Sequence, residues 1–376
     1  MSTACTRVAH PTIELHQFIA LKPGPRLLIL GGVHGNETAG PVAIRQILAE
    51  FAEGRRQLER GVLSFVPVAN PVAWARAQRE GDRNLNRDFR PSISPETAED
   101  RVATRLAPIL AQHDVLVDLH TFSAPGEAFV FFGPANNQDE LEPFSLAEAE
   151  ERLAQAIGPK RLVYGWLSAY AKGVRRRDNG SVAYGVGTTE YMRAHGGYAV
   201  TVECGQHLDP NAPAVARAAI GHALEALGMG GRCLDDEGAR EASPATQAIS
   251  EASPTDQDEQ APMTTPPAEC DGLELIELFD VFDRHSTDDH FERSWRSFDR
   301  VRAGEVIARR ANGEALTAPE DGYVVFPNPG TPPGREWFYF ARPGKRRLAP
   351  PAGRGNGIQP APDARPEGLS PRRTRA

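Results

Sequence analysis

Four stretches constrain the fold of this chain most: "RLLIL" (26–30), "VLSFVPV" (62–68), "DVLVDL" (114–119) and "YAVTVE" (198–203). Each is a short aliphatic run with few polar interruptions. A strand with one wet face alternates apolar and polar residues, so runs like these belong to strands buried on both faces. A fifth run, "AFVFF" (128–132), reads the same way. Between them lie helical patterns: "AGPVAIRQILAEF" (39–51), "SPETAEDRVATRLAPILAQH" (94–113), "SLAEAEERLAQAI" (145–157) and "APAVARAAIGHALEAL" (212–227). The second is expected to start with Ser94 as N-cap, Pro95 at the first position and acidic residues in the first turn. Strands alternating with helices predict an α/β fold, a mixed, mostly parallel sheet with helices on both faces.

The pattern divides the chain. Residues 1–234 form the α/β domain. Residues 235–270 are acidic and rich in Ala, Ser, Thr and Pro, with almost no large apolar side chains. Such a segment buries too little surface to offset its ordering entropy and is expected to be a disordered linker. Residues 271–342 read as short strands broken by Gly and Pro turns, a small β module. The basic, Pro/Gly-rich stretch 343–376 is expected to be a disordered tail.

Net charge narrows the partners. At −8 over 376 residues the chain lacks the basic footprint of a nucleic-acid binder. No apolar run reaches the roughly 20 residues a membrane span needs. The first residues show no secretory signal pattern. The four cysteines are scattered, with no C-x-x-C pair. A cytoplasmic protein is the expectation, and a homo-oligomer is compatible with it.

Chemistry-bearing residues cluster at strand ends, where open α/β sheets bind ligands. After "RLLIL", glycines turn the chain and "VHGNE" places His34 and Glu37 three apart. After "VLVDL" comes His120. Either motif alone has a bland reading, but together they supply two imidazoles and a carboxylate, the ligand composition of a catalytic zinc centre with one open position. Asp118, on the strand before His120, is a candidate hydrogen-bond partner for a ligand. Glu203, at the end of "YAVTVE", is the candidate proton carrier, although an edge glutamate in a salt bridge reads the same. In "QREGDRNLNRDF" (78–89), Asn86 and Arg87 pair an amide with a guanidinium fork suited to a carboxylate. Arg79 is placed to polarise a scissile carbonyl. Arg175 to Arg177 read as exposed loop charges.

The motifs "GGVHGNE", "NLNRDF", "DLHTF" and "TVECG", in this order, resemble the succinylglutamate desuccinylase/aspartoacylase family of zinc-carboxypeptidase-like hydrolases. The resemblance covers roughly residues 25–230. It implies a zinc-carboxypeptidase-like fold with a small C-terminal β module and one zinc ion per chain on His34, Glu37 and His120. It further implies Glu203 as general acid/base, Asn86 and Arg87 on the substrate carboxylate, and Arg79 at the scissile carbonyl. Arg193, in the loop before Glu203, is the match for a further substrate-binding arginine. The chain departs from the family pattern after "DLH": "TFSAPGEAFVFF" is apolar where members acting on acetylaspartate or succinylglutamate carry polar residues, which argues against an acidic substrate.

The expected function is a zinc-dependent amidohydrolase that removes an acyl group from an N-acyl amino acid or related small amide. The alternatives are a metallocarboxypeptidase acting on peptides and a non-catalytic binding protein. Only 82 residues separate Glu37 from His120, compact for a carboxypeptidase. The module around "LTAPEDGYVVF" resembles a lipoyl- or biotinyl-type carrier, but residues 271–342 contain no lysine for attachment.

Overall fold

A computed structural model describes residues 12–177, 180–233, 272–351 and 358. The expected linker 235–270 lies outside them, as does most of the tail. The first half holds β1 (His16–Ile19), β2 (Lys22–Leu30), α1 (Ala39–Ala52), β3 (Arg56–Leu58), β4 (Arg60–Val66), α2 (Pro71–Arg76), α3 (Ala98–Ala111) and β5 (Val115–Phe122). Then come β6 (Phe129–Phe131), α4 (Ala147–Ala156), β7 (Arg161–Tyr164), α5 (Trp166–Val174), α6 (Thr188–Ala194), β8 (Tyr198–Gln206), α7 (Ala212–Ala226) and β9 (Gly230–Cys233). The C-terminal part holds β10 (Glu274–Asp283), β11 (His290–Phe291), β12 (Asp299–Val301), β13 (Val306–Arg309), β14 (Ala315–Thr317), β15 (Gly322–Val325) and β16 (Glu336–Pro343).

The fold class matches the expectation. The central sheet runs β1-β4-β2-β5-β8-β6-β7-β10-β16-β15-β12, and β4, β2, β5 and β8 lie parallel at its heart. The period of two sorts side chains to opposite faces. Leu27, Ile29, Val115, Val117 and Val200 pack with residues of α1, α4 and α7 in one core. Their neighbours Leu28, Leu30, Leu116 and Ala199 pack with residues of α3 and α6 in another. Every residue of β5 is buried, which explains its uninterrupted apolar sequence, and each fully buried aliphatic side chain contributes about 1.5–3 kcal/mol.

Helix α3 starts later than Ser94. Its N-cap is Thr97, whose side chain accepts from Asp100 N while Asp100 accepts from Thr97 N. This reciprocal box satisfies two otherwise orphaned donors, which a Ser-Pro start does not. The small C-terminal β module is present, with β11-β13-β14 as its own three-stranded sheet. Its β10 pairs in parallel with β7 and so joins the module to the central sheet. Arg176 and Arg177, read as loop charges, tie α5 to β10 through Asp280 and Asp283. Those partners lie more than 100 residues away, beyond the reach of a local reading. Part of the stretch read as tail also packs on the α/β domain: Arg346 binds the carbonyls of Gly133 and Pro134, and Ala349 N donates to Glu151.

Candidate active site

The sheet order brings the carboxyl ends of β2, β5 and β8 side by side. Leu30 pairs with Asp118, and His120 pairs directly with Glu203. After β2 the chain turns through Gly32, whose φ of +60° suits glycine. Gly35 then passes so close to α2 that a Cβ there would lie 2.0 Å from the backbone of Ala73. This crowding fixes the loop that carries His34 and Glu37, so the glycines give a tight path rather than a mobile one.

His34, Glu37 and His120 are all buried, and one ligand atom from each lies within 4.8 Å of the others. His34 Nδ1 is 2.8 Å from Glu37 Oε1, and His120 Nδ1 is 3.0 Å from Glu37 Oε2. Thr121 N also donates to Glu37 Oε2. The far side of the His34 ring is fixed. His34 Nε2 lies 3.0 Å from Asn84 Oδ1, and an amide oxygen only accepts, so Nε2 carries the proton and Nδ1 presents its lone pair. His120 Nε2 lies 3.1 Å from Asp118 Oδ2 without a hydrogen bond to it.

This donor set fits a metal ion. Burial, helped by the Arg79 charge, lowers the His34 pKa to about 4, so its imidazole is neutral near pH 7. A neutral Nδ1 lone pair facing a carboxylate at 2.8 Å is repulsive unless a cation lies between them. Burial opposes charge on Glu37, yet the two imidazoles hold its pKa well below the ordinary range. Burial likewise opposes charge on His120, but Asp118 and Glu37 carry its pKa well above the ordinary value. The site therefore favours positive charge, and its two imidazoles and one carboxylate are ligands suited to zinc.

Glu203 is buried, and its Oε2 has no hydrogen-bond partner. Burial pushes its pKa up to about 8, with Glu37 adding to the effect and His120 opposing it. Arg79 is exposed, with Nη1 3.4 Å from Glu37 Oε1.

The loop carrying Asn86 and Arg87 is held from below by Glu99, a fully buried carboxylate in the first turn of α3. It accepts from the backbone N–H groups of Gly81, Asp82 and Arg83 and from Asn70 Nδ2. The far end of the loop is anchored by Asp88 N to Tyr184 O and Phe89 N to Val186 O. Asn86 Oδ1 accepts from Thr188 N, which turns its amide nitrogen into the donor end. Arg87 is buried, donates to Asn86 O at 2.8 Å and stacks 4.7 Å over Trp166. Its Nη2 lies 3.9 Å from Glu336 Oε2 of β16.

A cavity of about 800 Å³ joins these groups, lined among others by His34, Glu37, His120, Glu203, Arg79, Asn86 and Arg87. Arg193 also borders it, but its guanidinium is already taken by Glu150, Glu142 and the carbonyl of Ala199. Arg193 is thus tied to α4, to the loop before it and to β8, a structural part that the expected substrate contact did not include. The sequence reading missed Asn84, which orients His34, and Thr188, whose hydroxyl donates to Asp118. Asn84 was legible in principle: it stands two residues before Asn86 in the same motif.

Comparison with known proteins bears on the family and the fold. The sequence profile of the succinylglutamate desuccinylase/aspartoacylase catalytic domain matches residues 23–224, more than half of the chain. An N-acyl-aromatic-L-amino acid amidohydrolase (carboxylate-forming) of Rattus norvegicus is 35% identical over 116 residues, 27% of this chain and 35% of that protein. A probable aspartoacylase of Prochlorococcus marinus (strain MIT 9313) is 32% identical over 122 residues, 29% of this chain and 38% of that protein. The matches thus span little more than a third of these relatives. Among solved structures, a succinylglutamate desuccinylase/aspartoacylase from Rhodobacter sphaeroides superposes with a TM-score of 0.60 at 18% identity, covering 88% of this chain and 90% of that one. The product-bound ectoine utilization protein EutE (DoeB) from Ruegeria pomeroyi gives 0.58 at 20% identity, over 87% and 88%. With four ordered motifs, a matching fold and a profile spanning the site, the chain belongs to the succinylglutamate desuccinylase/aspartoacylase family.

Proposed function

We propose that this chain is a zinc-dependent amidohydrolase that removes an acyl group from an N-acyl amino acid or a related small amide in the cytoplasm. The observation that carries the reading is the meeting of His34, Glu37 and His120 with Glu203 on the neighbouring strand, at one end of a cavity that also holds the Asn86–Arg87 pair. His34, Glu37 and His120 would hold the metal, which when bound supplies a Lewis acid and acidifies water. Glu203 then takes a proton from the attacking water and delivers it to the departing nitrogen. A carboxyl whose pKa is raised by burial suits a group that must both accept and give a proton near neutrality. Arg79 reaches over Glu37 toward the cavity and donates to the carbonyl oxygen as negative charge develops on it. Arg87 and the amide of Asn86 hold the substrate carboxylate and so fix the scissile bond.

Phe326, Asn328, Thr331, Glu336 and Tyr339 of the C-terminal part line the same cavity, which favours small substrates over peptides. No helix among the described residues is long and apolar enough to cross a membrane. Relatives named amidohydrolases and aspartoacylases support hydrolysis of an amide bond. The test is metal analysis together with turnover of a panel of acetyl, succinyl and formyl amino acids. About one zinc per chain and hydrolysis of some member of the panel, both lost in His120→Ala, are expected. Full zinc and full turnover in that variant would refute the assignment.

A further inference from the structure

Asn86 is tied to both of the histidines proposed to hold the metal. Its backbone N–H donates to Asn84 Oδ1 at 2.9 Å, and the same oxygen lies 3.0 Å from His34 Nε2. Its side-chain Oδ1 accepts from Thr188 N at 3.0 Å. The hydroxyl of Thr188 donates to Asp118 Oδ2 at 2.5 Å, and that oxygen lies 3.1 Å from His120 Nε2. Glu37 closes the ring, since it meets both imidazoles. The group proposed to hold the substrate carboxylate and the group proposed to hold the metal therefore share one circuit of contacts.

The arm toward His120 turns on Thr188. Thr188 and Asp118 are fully buried and lie behind the cavity lining, to which Asn86 and His120 belong. A threonine hydroxyl carries a single proton. Asn86 Oδ1 lies 3.5 Å from that hydroxyl and Asp118 Oδ2 only 2.5 Å, so the proton goes to Asp118 while the backbone N–H serves Asn86. One residue thus spends its two donors on two different parts of the site.

Neither donor is a by-product of local structure. The start of α6 is closed by Glu190, whose Oε2 accepts from Gly187 N at 2.8 Å, so the helix does not need the threonine hydroxyl. The approach is also close: a Cβ at Gly187 would lie 2.1 Å from Asn86 Oδ1. Asp118 in turn relies on Thr188, because its Oδ1 has no hydrogen-bond partner and a buried carboxylate is costly without donors.

We infer that Thr188 is a positioning residue that couples the carboxylate-binding end of the site to the metal-binding end, holding Asn86 by its N–H and His120 by way of Asp118. The inference rests on the reading above, in which His34, Glu37 and His120 hold zinc. Its consequence is that a change at Asn86, which is no metal ligand, reaches the metal, and does so through Thr188. Such coupling is a free energy shared by the two ends and acts in both directions.

A double-mutant cycle on zinc affinity tests this, with competition against a chromophoric chelator at fixed pH in the full chain and circular dichroism as the check on folding. Asn86→Ala keeps the backbone N–H that serves Asn84 and cuts only the arm through Thr188. Thr188→Val keeps the shape and the N–H but removes the hydroxyl. Thr188→Val should weaken zinc binding about 10-fold or more, the scale of a lost outer partner, and Asn86→Ala about fivefold, the scale of a modest coupling. The double variant should bind zinc no more weakly than Thr188→Val alone, because the path is already cut. Thr188→Ser retains both donors and should bind zinc like the wild type. Losses that multiply in the double variant, wild-type affinity in Asn86→Ala, or binding in Thr188→Ser as weak as in Thr188→Val would each overturn the inference. If Thr188→Val does not fold, Asn86→Asp decides, since it restores the acceptor facing Thr188 N. Affinity lost in Asn86→Ala and regained in Asn86→Asp would uphold the coupling, and a loss that persists would overturn it. A wild-type protein that binds no zinc would remove the metal reading and this inference with it, whereas multiplying losses in a zinc-binding protein overturn the inference alone.

Discussion

Asn84→Ala tests the site through a residue outside the proposed metal ligands. Asn84 Oδ1 accepts from two buried or half-buried donors, His34 Nε2 at 3.0 Å and Asn86 N at 2.9 Å. Removing it leaves both donors without that acceptor, and each buried donor so stranded costs about 1–3 kcal/mol. The His34 share acts on the metal. Once Nε2 is no longer held, the ring can rotate or change tautomer and withdraw the Nδ1 lone pair from its partners. Loss of such an outer partner lowers metal affinity about 10- to 100-fold, equivalent to about 1.4–2.8 kcal/mol at 1.4 kcal/mol per decade. Competition with a chromophoric chelator at fixed pH measures this directly, with circular dichroism as the check on folding. Asn84→Asp should hold zinc at least as tightly as the wild type, because a carboxylate accepts both hydrogen bonds and binds an imidazole N–H more strongly. Wild-type zinc affinity in a folded Asn84→Ala protein, or weaker binding in Asn84→Asp than in Asn84→Ala, would refute the idea that Asn84 orients His34.

Three further outcomes are expected. Glu203→Gln should keep its zinc, since no ligand is removed, but lose most turnover, on the order of the 10²- to 10⁴-fold that a positioned proton carrier supplies; a zinc-loaded variant with wild-type kcat would exclude that role. Arg87→Lys keeps the charge but loses the planar fork and should lower kcat/KM by about 1.5–3 kcal/mol. Amidating the substrate carboxylate should cost a similar amount in the wild type and little more in the variant, whereas fully additive losses would mean that Arg87 does not hold that group. Zinc uptake should release protons at pH 7, because without metal His120 holds its proton well above pH 6.5 and Glu203 up to about pH 8. A cation displaces the first and lowers the second, so apparent zinc affinity rises with pH through this range; calorimetry in buffers of different ionisation enthalpy that detects no proton release at pH 7 would contradict it.

Much of this site is legible in the sequence because its residues sit at the ends of strands that announce themselves. "RLLIL", "VLVDL" and "YAVTVE" are apolar on both faces, so they must be central and covered, and whatever follows them stands at the carboxyl edge. That places His34, Glu37, His120 and Glu203 at the carboxyl edge of the sheet, and the strand order β2-β5-β8 then brings them together. Helix boundaries were less secure, because "SPETAED" contains two competing start signals and only the box between Thr97 and Asp100 closes both hydrogen bonds.

What the tertiary structure decided are the contacts between segments far apart in the chain. No local pattern tells that Arg193 meets Glu142 and Glu150, or that Arg176 and Arg177 meet acids on β10. Nor does spacing reveal that Phe326 lies against Phe131, nearly 200 residues earlier, or that Tyr339 lies against Trp166, on which Arg87 stacks. A periodic sequence specifies which face of an element is buried, but pairing between elements depends on the order of strands in the sheet. Here the parallel pairing of β7 with β10 brings the C-terminal rings to the cavity.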